Sequence, residues 1–305
     1  PDRNRFYAFD KRTGELAWFS TPGVEPIDSS FATPVFGNLG DQRVFYAGTG
    51  CGNIVCVNAR TGEPVWRFRL SNAGVNADVL LLGNDRLIGI HGKENVDSTS
   101  HGRLVALKIP TAYPAGPKPV VLGRDVEVWR NDDFISFSSS PLLVDNRVYS
   151  TIATGSLLCA DATTGKTIWS EKLGPDQLHA SPAYADGKLY VPILNGTVHV
   201  VAAGGDQAKV LSVNQMGAPC LGAPSFYGDA AFIFTKEALH CFGPKASAAS
   251  VPVAAAAPAP VAPPPGPVTQ IQVVPAEFAL SPGESQTFTV YGLDAAGRRV
   301  RAVSD

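Results

Sequence analysis

The chain has 305 residues, 45% of them hydrophobic and 17% charged, which is enough apolar material for a large core and excludes a wholly disordered polypeptide. Twenty-five Lys and Arg against 27 Asp and Glu give a net charge of −2, which argues against nucleic-acid binding by bulk electrostatics. No uninterrupted apolar run reaches the ~18 residues of a membrane helix, and 30 Gly with 25 Pro point to many turns between short strands.

The first segment, Tyr7-Ala-Phe-Asp-Lys-Arg-Thr-Gly-Glu-Leu-Ala-Trp18, recurs without gaps at Val55–Trp66 and Leu158–Trp169. Each copy predicts a strand, a turn and an outgoing strand. Asp10, Asn58 and Asp161 stand where a side-chain oxygen accepts backbone N–H groups inside the turn. Gly14, Gly62 and Gly165 stand where the turn needs a left-handed residue. Trp18, Trp66 and Trp169 close the copies, placing an indole where it covers a neighbouring unit, and Trp129 closes a lengthened copy in the same way.

A second block precedes each strand pair: a small residue and Pro at Thr33-Pro34, Ser140-Pro141, Ser181-Pro182 and Ala223-Pro224. Pro141 to Pro182 is 41 residues and Pro182 to Pro224 is 42. Four short strands at that period predict an all-β fold, a β-propeller of four-stranded blades with about six units visible. A partial unit occupies 1–20. Full units run over about 29–70, 75–130, 137–173 and 179–214, and the last, 221–243, lacks its outer strand. The third is lengthened at Gly92–Ser100 and Thr111–Asp125. In the fifth, Val210 or Leu211 takes the Trp position. The strands of 1–20 either complete the unit at 221–243 or follow further blades upstream. The chain opens in mid-repeat and stops within a strand, and so reads as an internal piece of a longer polypeptide.

Residues 1–243 thus form one domain. The stretch 244–267, with eight Pro and nine Ala among 24 residues, reads as an extended linker. Residues 268–305 form a separate β segment, with alternating strands at Ile271–Val274, Gln286–Tyr291 and Arg299–Val303.

Of five cysteines, Cys56, Cys159 and Cys241 share one repeat position, also held by Ala8, Ala106 and Val200, and read as small packed hydrophobes. Cys51 and Cys220 fall in loops on one face, either as a disulfide or as solitary thiols. No Cys-x-x-Cys-His is present for covalent haem, and no zinc pattern.

The loops entering each blade and those between its second and third strands share the face around the channel mouth. That face carries His91, Lys93, Glu94, Asn95, Asp97, His101, Asp132, Asp133, Asp176, His179 and Met216. The segment His91–Asp97 is the richest in chemistry. It reads either as a solvated insertion or as a surface for a ligand or partner, and Glu94, Asn95 and Asp97 are oxygen donors of the kind Ca²⁺ accepts. No metal site and no catalytic set is assigned, since no Ser carries a nucleophile-elbow signature. Phe134, Phe137, Tyr113 and Tyr227 are the aromatics on which a bound sugar would stack.

The pattern Ala160-x-Asp-x-x-Thr-Gly-Lys-x-x-Trp169 resembles the tryptophan-docking repeat of pyrroloquinoline-quinone-type (PQQ-like) propellers, over about 1–243. That family includes quinoprotein alcohol and sugar dehydrogenases, the propeller lipoprotein of the outer-membrane β-barrel assembly machinery, and scaffold domains. Quinoprotein dehydrogenases typically stack a Trp under the quinone, and many place adjacent cysteines over it. Here all four Trp serve docking, and no Cys-Cys pair occurs. The tail, from Val274-Pro through Ser281-Pro-Gly-Glu to Asp294-x-x-Gly297, resembles the start of a bacterial Ig-like domain, which implies a periplasmic or surface location. The function expected is therefore a non-catalytic propeller acting as an interaction or ligand-binding scaffold in an exported multidomain protein. Its partners are other proteins or surface polymers, with no nucleic acid, no membrane span in this segment and no cofactor. The alternatives are a dehydrogenase using PQQ and Ca²⁺, and a glycan-binding module.

Overall fold

A computed structural model describes residues 4–116, 119–175, 179–244 and 264–302. It is built from small sheets, antiparallel except for one parallel pairing, and among the described residues the only helical turn is a 3-10 turn at Arg124–Val126. Among the described residues no helix is long and apolar enough to cross a membrane.

The first unit is a hairpin, β1 (Phe6–Phe9) and β2 (Leu16–Ser20). The second has β3 (Val35–Leu39), β4 (Gln42–Gly48), β5 (Asn53–Asn58) and β6 (Pro64–Arg69). The third begins with β7 (Leu80–Leu82), β8 (Arg86–His91) and β9 (Arg103–Lys108). Its long insertion then contributes β10 (Val120–Leu122) before the outer strand β11 (Glu127–Asn131). The fourth comprises β12 (Leu142–Val144), β13 (Arg147–Thr151), β14 (Ser156–Asp161) and β15 (Thr167–Lys172). The fifth has β16 (Ala183–Ala185), β17 (Lys188–Pro192), β18 (Thr197–Ala202) and β19 (Val210–Gln215). The sixth has three strands, β20 (Ser225–Tyr227), β21 (Ala230–Phe234) and β22 (Leu239–Phe242). Each unit is an up-and-down sheet, and first strands of successive units lie together, β3 against β7 and β12 against β16. This is the propeller arrangement expected from the repeat.

The turns form as their residues dictate. Asp161 Oδ1 accepts the N–H of Thr163 (3.0 Å) and of Thr164 (2.8 Å), and Asn58 and Asp10 serve their own turns alike. Gly14, Gly62 and Gly165 sit at φ +76°, +76° and +74°. A β-bulge follows in each unit, so that every docking indole has one register: Ala8 faces Trp18, Cys56 faces Trp66, Ala106 faces Trp129 and Cys159 faces Trp169.

Each indole then reaches the next unit. A Cβ on Gly62 would come within 2.6 Å of the Trp18 ring, and Gly165 lies equally tightly under Trp129. The glycine of the turn is therefore also the seat of the preceding unit's tryptophan. Trp66 has no such glycine to meet, because the third unit's turn is replaced by its insertion. Instead β10 pairs in parallel with β6, setting Val120 opposite Trp66, and Tyr113, Leu122 and Val126 pack on the same core. Trp169 packs with Ala203 and Ala208 of the fifth unit, whose Gly204 N–H donates to Tyr149 Oη at 2.8 Å.

Two expectations change. In the fifth unit the bulge falls between Val200 and Val201, and Val200 faces Ser212. Register thus puts Ser212, not Val210 or Leu211, in the tryptophan position. Neither does the hairpin β1–β2 complete the sixth unit. Its strands pair only with each other among the described residues, and they pack on the second unit through Phe6 and Trp18 against Phe45.

Beyond the linker, β23 (Gln270–Val274), β24 (Thr289–Leu293) and β25 (Arg299–Ala302) form one antiparallel sheet. It folds back on the first two units. Ala276 N–H donates to Leu16 O at 2.8 Å, Arg299 meets Asp10 at 3.0 Å, and Arg60 reaches Ala296 O at 3.2 Å. Most of the linker, 245–263, lies outside the described residues.

Candidate functional site

The segment entering each blade lines the channel mouth, and its polar groups link the blades. Thr33 N–H donates to Asp78 Oδ1 (2.5 Å), Asp78 N–H to Ser140 Oγ (2.9 Å), and Ser140 N–H to Ser181 Oγ (2.8 Å). Thr33, Ser140 and Ser181 each stand directly before Pro, and Asp78, followed by Val79, takes the corresponding place in the third unit, so that each donor's acceptor is its counterpart in the next unit. The series stops at the sixth unit, where Ala223 has no side-chain oxygen. A second row repeats the arrangement: Phe31 N–H donates to Asn76 Oδ1 (3.2 Å), and Ser138 Oγ and His179 Nδ1 lie 3.1 Å apart. Together these residues border a shallow cavity of about 460 Å³.

The other expected surface residues lie in the third unit's insertions, and most of them hold the loop together. Asn95 is buried, and its Nδ2 donates to Gly92 O (3.0 Å) and His101 O (2.8 Å). Arg103 is buried and grips Asp97 (2.7 Å) and Asp132 (3.0 Å). Asp97 also meets Arg130 (2.8 Å) and Arg124 (3.5 Å), and Glu127 joins both of those arginines. Burial would raise the Asp97 carboxyl. The hydrogen bonds from Arg103 and Arg130 and the charge of Arg124 outweigh it and hold that carboxyl far below the ordinary carboxylate range.

His91 ends β8, only 3% exposed, with Nε2 3.6 Å from the Glu94 carboxylate. Burial pushes its imidazole toward the neutral form, against the pull of Glu94. Lys93, Glu94 and His101 remain exposed on the loop. His179 stands apart from this group, at the channel mouth. Asp176 lies outside the described residues.

Other expectations resolve by burial. Phe134 is fully buried in the core between the third and fourth units and is no stacking platform for a sugar. Tyr113 packs on the core beside Trp66, its hydroxyl donating to Glu63 at 2.9 Å. Phe137 lies beside Gly92, and Tyr227 is exposed. All five cysteines are free thiols, with Cys51 and Cys220 buried and unpaired. Among the described residues no three His, Cys, Asp or Glu side chains are placed to hold a metal ion.

Indoles seated on the next unit's turn, with blades linked at the hub, define the repeat at atomic level. A family model described as outer membrane protein assembly factor BamB matches residues 2–111 and 122–239. The chain belongs to this PQQ-like propeller family. The unmatched gap falls in the insertion that carries β10. The BamB of Burkholderia pseudomallei is 29% identical over 164 residues, a match covering 52% of this chain and 38% of that protein. The match thus spans well under two thirds of that relative's length.

Among solved structures, BamB from Moraxella catarrhalis superposes with a TM-score of 0.57 at 14% identity, over 78% of this chain and 66% of its own. The computationally designed Ika8 protein gives 0.58 at 13% identity, over 99% of this chain and 81% of that one. At such identities these structures attest the fold alone. Sequence reasoning found the small-Pro blocks but missed their hub hydrogen bonds. The repeated Thr, Ser and Ser before Pro was the available signal.

Proposed function

We propose that this chain is a non-catalytic scaffold that binds other proteins outside the cytoplasm, in the service of outer-membrane protein assembly that its relatives' name describes. The observation that carries the reading is the use made of the hub's polar groups. Asp78, Ser140 and Ser181 accept backbone N–H groups from the preceding blade, so the polar atoms best placed for chemistry at the mouth are engaged in joining blades. A rigid array of blades displaying long loops is a suitable platform for partners.

The alternative cofactor fits this mouth poorly. PQQ is a tricarboxylate, usually held with Ca²⁺, and a site for it needs cationic side chains and several carboxylates. The described residues lining the mouth include one carboxylate, Asp78, one imidazole, His179, and no Lys or Arg. An exported location agrees with this reading, as does the resemblance of the tail to an Ig-like segment.

The test has two arms. Purified chain is passed over immobilised soluble domains of an outer-membrane assembly machinery, and separately titrated with PQQ and Ca²⁺ while dye-linked alcohol oxidation is followed. Saturable protein binding without stoichiometric quinone uptake is expected. Tight quinone uptake with turnover would replace the scaffold with a dehydrogenase.

A further inference from the structure

The seam between the fifth and sixth units departs from those before it in two independent ways. At the hub, Ala223 ends the series of inter-blade hydrogen bonds. Farther out, Ser212 occupies the register position that holds Trp18, Trp66, Trp129 and Trp169 in the first four units. A hydroxymethyl group there replaces a bicyclic ring, and the neighbouring blade does not collapse to fill the difference. A cleft of about 400 Å³ remains, walled mainly by Tyr190, Val200, Met216, Ile233 and Phe242, with Lys188, Ser212 and Asn214 also in its lining, and open on one side to solvent. That size and its mainly apolar walls with a few polar groups match small-ligand sites, which run from roughly 300 to 1,000 Å³.

We propose that this seam is a binding site for a planar aromatic ring system of indole size, taken up where the other seams hold the chain's own tryptophan. The class of ligand follows from the repeat itself. An indole stands at the equivalent register position in four units and packs toward the next unit, although what it meets there differs, so this is the position at which the repeat places a flat ring between blades. Apolar cavities left by the loss of a large side chain take up aromatic molecules. Ser212 adds one directional group. Its Oγ accepts from Asn214 Nδ2 at 3.1 Å and keeps a second lone pair that can accept from a ring N–H such as that of indole. This site lies in the wall between two blades and does not depend on the scaffold reading of the channel mouth.

Met216 makes the test direct, because it is the only methionine in the sequence and stands in the cavity wall. Protein labelled at the methionine methyl gives one resonance that reports this site. Titration with indole is expected to shift that resonance saturably, at one indole per chain. In Ser212→Trp the resonance should be displaced before any indole is added, and indole should no longer move it. If Ser212→Trp does not fold, Val200→Phe fills the same space from the facing strand and should abolish the response alike. A wild-type resonance that ignores millimolar indole, or one that responds equally in the filled variants, overturns the proposal.

Discussion

Replacing Trp66 by alanine is expected to lower the stability of the propeller by about 3–5 kcal/mol, the range for deleting a fully buried large aromatic side chain. Trp66 is 0% exposed, rests against Tyr46 at 5.6 Å between ring centroids, and fills the core shared by the second and third units. Its removal also strips the support under β10, whose Val120 faces it in the parallel pairing. Phenylalanine should be milder, at about 1–2.5 kcal/mol, because it keeps one of the two fused rings and leaves a smaller cavity than alanine does. Its Nε1–H has no hydrogen-bond partner among the described residues, so nothing polar is lost. Urea unfolding followed by circular dichroism separates the two variants. Equal losses would mean that the indole acts through something other than the space it fills.

Asp97→Ala should produce the second large effect, about 2–3 kcal/mol at neutral pH. It leaves the buried Arg103 with Asp132 alone, and stripping a partner from a buried charge is costly, here moderated by the remaining carboxylate and by partial solvent access. Arg103→Met removes the buried charge itself and should cost less, since Asp97 and Asp132 are 38% and 43% exposed and can rehydrate. The folded Asp97 carboxyl lies below its unfolded value, so its contribution is complete above the unfolded carboxylate pKa of about 3.9. It then declines as the pH falls from there through the lowered folded value. The gap between wild type and Asp97→Ala should therefore be constant from pH 7 to 5 and narrow in more acid solution. A gap that widens on acidification would show that the ion pairs are not its source.

The parts of this fold legible in the sequence were the local ones. The Asp or Asn, Thr-Gly and Trp spacing defines a turn and its flanking strands within twelve residues, and its three copies together with the small-Pro blocks gave the six units. What lay outside that window depended on partners distant in the chain. The seat of Trp129 is Gly165, in the next unit, and nothing near either residue announces the pairing. The strand β10 has three residues, too few for alternation to register, and its pairing is settled by the neighbouring blade. One bulge moved the tryptophan position from Leu211 to Ser212. The loop His91–Asp97 resembled a ligand surface because its acidic and polar groups are adjacent in sequence. Three arginines that engage Asp97 lie beyond it, at Arg103, Arg124 and Arg130. The hydroxyls before proline were visible as strand-entering residues, but their link to the next blade depends on how successive blades meet at the hub.

The clamp between indole and glycine is tested most directly by a double-mutant cycle on Trp129 and Gly165. In the wild-type background Gly165→Ala adds a methyl group against the Trp129 ring at a left-handed residue, and should cost about 2–4 kcal/mol from strain and overpacking together. In the Trp129→Ala background the overlap is gone, and the same substitution should cost only about 1 kcal/mol of backbone strain. A coupling of about 1–3 kcal/mol between the two sites is the predicted result. Identical costs of Gly165→Ala with and without the indole would contradict the account.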